Sequence, residues 1–206
     1  MAFSLVEGTF SALIFDCDGT LVDSAAAHLH SLQEALKPLG LTVTPEWYRT
    51  RHGLPDGPMI DEYEAEFKCP RIDREALVDR CNAAYQSGIP LVEEITFVAD
   101  VARDWYGKVP MSVASNGNRE NVEATLISKK LRQLFDHIVT IEDVKRGKPA
   151  PDIYLEAARR MNVDPVECIV FEDFDAGLEA AHRAGMRAID IREEAAALAT
   201  SSAGIP

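Results

Sequence analysis

The chain has 206 residues, 47% hydrophobic and 27% charged, which suits one folded core with room for a small second unit. Its 34 acidic residues against 21 basic ones leave a formal net charge of −13, which excludes the broad basic surface that general binding of nucleic acid or anionic membrane requires. No run approaches the ~18 apolar residues of a membrane span, no leader-like segment opens the chain, and Cys17, Cys69, Cys81 and Cys168 have neither zinc-site nor disulfide spacing, so reduced thiols in a cytoplasmic protein are expected.

After a patternless lead, Ala12-Leu13-Ile14-Phe15 is a short apolar run of the kind that forms a buried strand. Asp16-Cys17-Asp18-Gly19-Thr20 follows it. Residues two apart in a strand point the same way, so Asp16 and Asp18 can converge on one small volume. Carboxylates that close repel, and one protonates unless a cation intervenes. Mg²⁺, a hard cation that takes oxygen ligands, suits such a pair beside a phosphate. Gly19 permits a sharp turn with backbone N–H groups near an anion, and Thr20 offers a hydroxyl. Cys17 lies between acids that raise a thiol pKa, which argues against a thiolate nucleophile.

Ala25–Leu36 predicts a helix, with Leu29, Leu32 and Leu36 at helical spacing and Pro38 and Gly40 ending it. Helical patterns follow over Pro45–Arg51, Gly57–Phe67 and Asp73–Gln86, separated by His52-Gly53-Leu54-Pro55-Asp56 and Cys69-Pro70. Residues 24–88 therefore predict a small helical unit inserted into a core made of residues 1–23 and 89–206. In that core an amphipathic helix spans Leu91–Trp105 and precedes a strand at Met111–Ala114, which ends in Ser115-Asn116-Gly117. A helix over Arg119–Leu131 and a strand at Ile138–Thr140 lead to a loop carrying Lys148-Pro149. A helix over Asp152–Met161 precedes the strand Cys168–Phe171, closed by Glu172-Asp173. A helix over Ala176–Ala184 and a strand at Ala188–Ile191 complete the pattern, with an Ala- and Ser-rich tail over Glu193–Pro206 that reads as frayed or a poor helix. Strands alternating with helices imply the α/β class: a Rossmann-like parallel sheet with a small inserted α-helical cap.

The polar strand ends complement the aspartate pair. Ser115 and Asn116 stand at a Gly-containing turn before a helix, where backbone N–H groups bind anions. Lys148 supplies positive charge in an acidic protein. Glu172 and Asp173 end an apolar strand, where two acids suit a cation or a helix N-terminus.

Taken together, D-x-D-G-T, S-N-G, K-P and E-D-x-x-x-G resemble, in order and context, the four signatures of the haloacid dehalogenase superfamily, over about residues 11–191. Phe171–Met186 is most similar to the sugar-phosphate phosphatase and β-phosphoglucomutase branch, although Phe174 replaces a small residue usual there. Within that branch the chain resembles the bacterial fructose-1-phosphate phosphatases. The resemblance implies Asp16 as a nucleophile that forms an aspartyl-phosphate, and Asp18 as general acid and then base. It implies Mg²⁺ on Asp16, the Asp18 backbone carbonyl and Asp173, with Glu172 direct or through water. Thr20, Ser115, Asn116 and Lys148 then hold phosphoryl oxygens, and His28 reaches toward Asp18. The acid at Asp18 favours phosphoryl transfer over dehalogenation. The loop after Gly53 lacks the lysine of phosphonatases, and Asp56 falls near the position where mutases carry an arginine. Arg49, Arg51 and His52, which precede that loop, read as surface charge or as contacts to a substrate's polar tail, with surface charge favoured. The implied activity is Mg²⁺-dependent hydrolysis of a small phosphorylated metabolite, a sugar or sugar-acid phosphate, by a monomer or weak homo-oligomer. The alternatives are a β-phosphoglucomutase-like mutase and a non-catalytic binding protein on the same fold.

Overall fold

The apolar run Ala12–Phe15 forms strand β1, buried at every position. A computed structural model describes residues 6–51 and 56–202, and the chain divides into two units, residues 24–92 and the segments on either side. In the outer segments β1 is the central strand of a five-stranded parallel sheet. Its other members are β4 (Met111–Ser115), β5 (His137–Thr140), β6 (Cys168–Glu172) and β7 (Arg187–Asp190), in the order β5-β4-β1-β6-β7. Strands β4 and β6 are also buried throughout, as expected where helices cover both faces and no polar alternation survives.

Register follows from packing. Phe15 pairs with Phe171, and their rings stack at 4.7 Å between centroids, with Phe135 edge-on to Phe15 at 5.6 Å. A second cluster joins Ile14, Ala114 and Val170 to Ile153, Tyr154 and Ala157 of the helix Asp152–Met161. The chain builds outward to β4 and β5, then returns across β1 to β6 and β7. The strand order therefore reverses beside β1, and ligand crevices of open α/β sheets lie at the carboxyl ends of strands at such a point.

Two differences from the sequence reading have physical causes. The helix expected from Leu91 begins at Thr96, because Glu93–Glu94 (β3) pairs antiparallel with Val22–Asp23 (β2) and Ile95 N–H bonds to the Leu21 carbonyl. Two-residue strands carry no readable period. Within the described part of the tail, Ile191–Ser202 is a continuous helix rather than a frayed end, opened by acidic Glu193 and Glu194 and anchored by Arg192, which bonds Asp190 and Asp175. The other core helices are Thr96–Trp105, Arg119–Ser128 and Asp175–Arg183.

The helical unit holds Ala25–Leu36, Pro45–Arg49, Asp56–Phe67 and Arg74–Gly88. Thr44 and Asp73 cap two of these helices through their side chains. Leu32, Leu36, Trp47, Ile60, Tyr63 and Leu77 form its core. Arg51 is surface charge in partnership, bonding Glu62 at 2.9 Å and Glu66 at 3.0 Å. The loop His52–Pro55, on which the comparison with phosphonatases and mutases rests, lies outside the described residues. All four cysteines are free, and no helix among the described residues is long and apolar enough to cross a membrane.

Candidate active site

Strand β1 delivers Asp16, whose N–H bonds to the Phe171 carbonyl at 3.0 Å and so ties it to β6. The chain then turns at Gly19, with φ +86°. A Cβ there would lie 2.1 Å from Asp173 Oδ2, so only glycine lets the two segments approach this closely. Strand β6 ends in Glu172, only 2% exposed, and Asp173 follows. Asp16, Glu172 and Asp173 each bring a carboxylate oxygen within 4.8 Å of the others.

Lys148 reaches this group from the loop after β5. Its Nζ donates to Asp16 Oδ1 at 2.5 Å and to Glu172 Oε2 at 3.2 Å, and all three side chains are buried. Burial opposes the lysine's charge, but Asp16 and Glu172 together hold its pKa well above the ordinary value. Burial, then Glu172, push Asp16 well above the usual carboxylate range despite the opposing lysine. Burial and Glu172 likewise raise Asp173 to about 6. Three crowded carboxylates face one ammonium, so the site carries negative charge that a bound cation relieves. An all-oxygen donor set of this size fits Mg²⁺. The expected Asp18 ligand is its backbone carbonyl, and the Asp18 carboxylate is not one of the three.

Ser115 and Asp18 border a second part of the site. A Cβ built on Gly117 would lie 3.2 Å from Ser115 Oγ and 3.8 Å from Asp18 Oδ2. Ser115 Oγ accepts from the Gly117 N–H at 3.0 Å, which leaves its own proton to donate. Burial, then Asp18 and Asp16, push the Cys17 thiol well up, in keeping with an inert thiol.

Two residues expected on a phosphate take other partners. Thr20 is fully buried, and its hydroxyl donates to Asp173 Oδ1 at 2.9 Å, so it orients an acid of the cluster. The Asn116 amide closes on the backbone of Lys148: Oδ1 accepts from the N–H at 2.9 Å, and Nδ2 donates to the carbonyl at 3.3 Å. Gly147 makes room for it, since a Cβ there would lie 2.6 Å from Asn116 Oδ1. His28 lies half-buried in the helical unit, its ring 4.8 Å from that of Tyr85. Sequence reasoning missed Tyr154, whose hydroxyl donates to Glu172 Oε2 at 3.1 Å. The available signal is a tyrosine on an apolar helix stripe shortly after Lys-Pro, where a buried phenol needs a polar partner.

A central parallel strand that runs into clustered aspartates, with a buried lysine bridging two of the acids, defines a Rossmann-like hydrolase of the haloacid dehalogenase type. The sequence profile of haloacid dehalogenase-like hydrolases matches residues 13–191, and the chain belongs to that family. It is 36% identical to fructose-1-phosphate phosphatase YqaB of Escherichia coli over 89% of this chain and 97% of the relative. It is 26% identical to a phosphorylated carbohydrates phosphatase of Thermotoga maritima over 86% of this chain and 83% of the relative. Among solved structures, CbbY of Rhodobacter sphaeroides in complex with phosphate superposes with a TM-score of 0.75 at 25% identity, over 88% of this chain and 85% of that one.

Proposed function

We propose that the chain is a Mg²⁺-dependent phosphatase that hydrolyses a small phosphorylated metabolite, a sugar or sugar-acid phosphate, through an aspartyl-phosphate. The observation that carries the reading is Lys148, buried with its ammonium 2.5 Å from Asp16. An ammonium so placed favours the ionised carboxylate against the opposing burial and Glu172, and offsets its repulsion from an incoming phosphate dianion.

Asp16 attacks phosphorus, the P–O bond to the leaving alkoxide breaks, and Asp18 gives that alkoxide its proton. Asp18, now ionised, takes a proton from water as the water attacks the aspartyl-phosphate. Phosphate leaves, and Asp16 is regenerated. Ser115 and Lys148 hold phosphoryl oxygens, while Thr20 and Asn116 position Asp173 and Lys148. Asp16, Asp173 and the Asp18 carbonyl, with Glu172 direct or through water, would hold Mg²⁺, which would supply charge neutralisation at the transferring phosphoryl group. The helical unit, residues 24–88 in our assignment, acts as a cap that selects the substrate and excludes water.

The relatives' action on phosphorylated sugars supports the substrate class. The test is phosphate release from a panel of phosphorylated metabolites, with and without EDTA. Release without a bisphosphate activator supports a hydrolase over a mutase. Asp16→Asn should abolish turnover and leave the fold intact. Normal rates in that variant would refute the nucleophile assignment.

A further inference from the structure

We propose that Tyr154 is a positioning residue that acts through Lys148, an inference that rests on the phosphatase reading. Tyr154 belongs to the apolar stripe Ile153, Tyr154, Ala157, Ala158 and Met161 that packs against the sheet, and it is fully buried. Phenylalanine would fill that stripe equally well. The phenol adds a hydroxyl that is costly to bury unless it finds a partner.

Its partner is Glu172 Oε2 at 3.1 Å, the same oxygen that accepts from Lys148 Nζ at 3.2 Å. Lys148 Nζ also stands 5.0 Å from the centroid of the Tyr154 ring. The tyrosine thus holds the lysine twice, once through its ring face and once through the acceptor that its hydroxyl pins. Glu172 needs pinning because it shares the acidic group with Asp16 and Asp173. Repulsion within that group drives it off the lysine, and a bound cation competes for the same carboxylate. With the hydroxyl in place, Oε2 stays on the lysine, and the lysine stays on Asp16.

Tyr154→Phe removes the hydroxyl alone. Its kcat/KM for p-nitrophenyl phosphate should fall about tenfold in the parent protein, the scale of a lost hydrogen bond to a charged group. In a Lys148→Ala background the same change should cost less than about twofold, because the group it acts through is gone. A general structural role would give the same factor in both backgrounds. Equal losses, or no loss in the parent, would overturn the proposal. A crystal structure of Tyr154→Phe reads the geometry without turnover: Glu172 Oε2 displaced from Lys148 Nζ supports the role, and an unchanged pair overturns it. If the parent protein releases no phosphate from any substrate, the phosphatase reading fails, while that crystal structure still decides the role of Tyr154.

Discussion

Replacing Asp173 with asparagine should make the cation-free protein more stable at neutral pH while removing its activity. Burial, with Glu172 alongside, raises this carboxyl from 3.8 to about 6. At roughly 1.36 kcal/mol per unit, ionising it costs the fold about 3 kcal/mol. The folded protein holds this proton more tightly than the unfolded chain does. Its contribution is therefore complete below about pH 4 and is lost as pH rises to about 6. Asparagine carries no charge, and its amide oxygen can still accept from Thr20. The expected gain at about pH 7.5 in EDTA is some 2–3 kcal/mol, or about 5–10 °C in Tm for a chain of this size. At about pH 4.5 the parent's Asp173 is already protonated when folded, and the gain should shrink to about 1 kcal/mol. Mg²⁺ should raise the parent's Tm and leave the variant nearly unmoved. Thermal melts followed by circular dichroism measure all of this. A variant no more stable than the parent in EDTA near neutral pH, or a gain that persists undiminished in acid, would refute the electrostatic argument.

Asp18→Asn should give a burst of p-nitrophenol from p-nitrophenyl phosphate and then stall, because the aspartyl-phosphate lacks its base; a normal steady rate after the burst would count against that role. Asn116→Ala removes both bonds to the Lys148 backbone and should lower kcat/KM about tenfold, with a loss of about 1–2 kcal/mol of stability read by denaturant titration. Unchanged kinetics there would mean that the loop holds the lysine unaided. In Gly177→Ala the new Cβ would lie 2.1 Å from Glu172 Cδ, so the carboxylate must move off Lys148. Alanine is the better helix former by about 1 kcal/mol, which only partly offsets that buried displacement, so this variant should be less stable and lose more than about tenfold in turnover. Full activity would show that Glu172 has room to spare.

The strand ends are readable in the sequence because each apolar run stops abruptly at chemistry. Phe15 gives way to Asp16, and Phe171 to Glu172 and Asp173. Burial on both faces forces such runs, so the parallel sheet is readable with them. The partner of each polar group is not. Thr20 and Asn116 have the right chemistry for a phosphate, yet the fold sets them on Asp173 and on the Lys148 backbone, 153 and 32 residues away. Such pairings depend on the register between strands, which composition does not encode. Tyr154 is hidden for a related reason. On a helical stripe it counts as an apolar body, and only the neighbouring strand reveals what its hydroxyl meets. The ribbon of β2 and β3 escapes because two residues make no pattern, and the final helix is only half legible because its anchor, Arg192 on Asp175, lies on the preceding helix and not in its own periodicity.

That two-residue ribbon has a consequence for how this architecture can change. Val22 and Asp23 lie antiparallel to Glu94 and Glu93, so the polypeptide departs from the sheet and comes back at a single doorway. Whatever is spliced in between meets a socket whose two terminals are already adjacent. A chimaera carrying a foreign segment from Ser24 to Val92 keeps every strand pairing of β1, β4 and β6 intact, so the inserted unit can be exchanged without rebuilding the sheet.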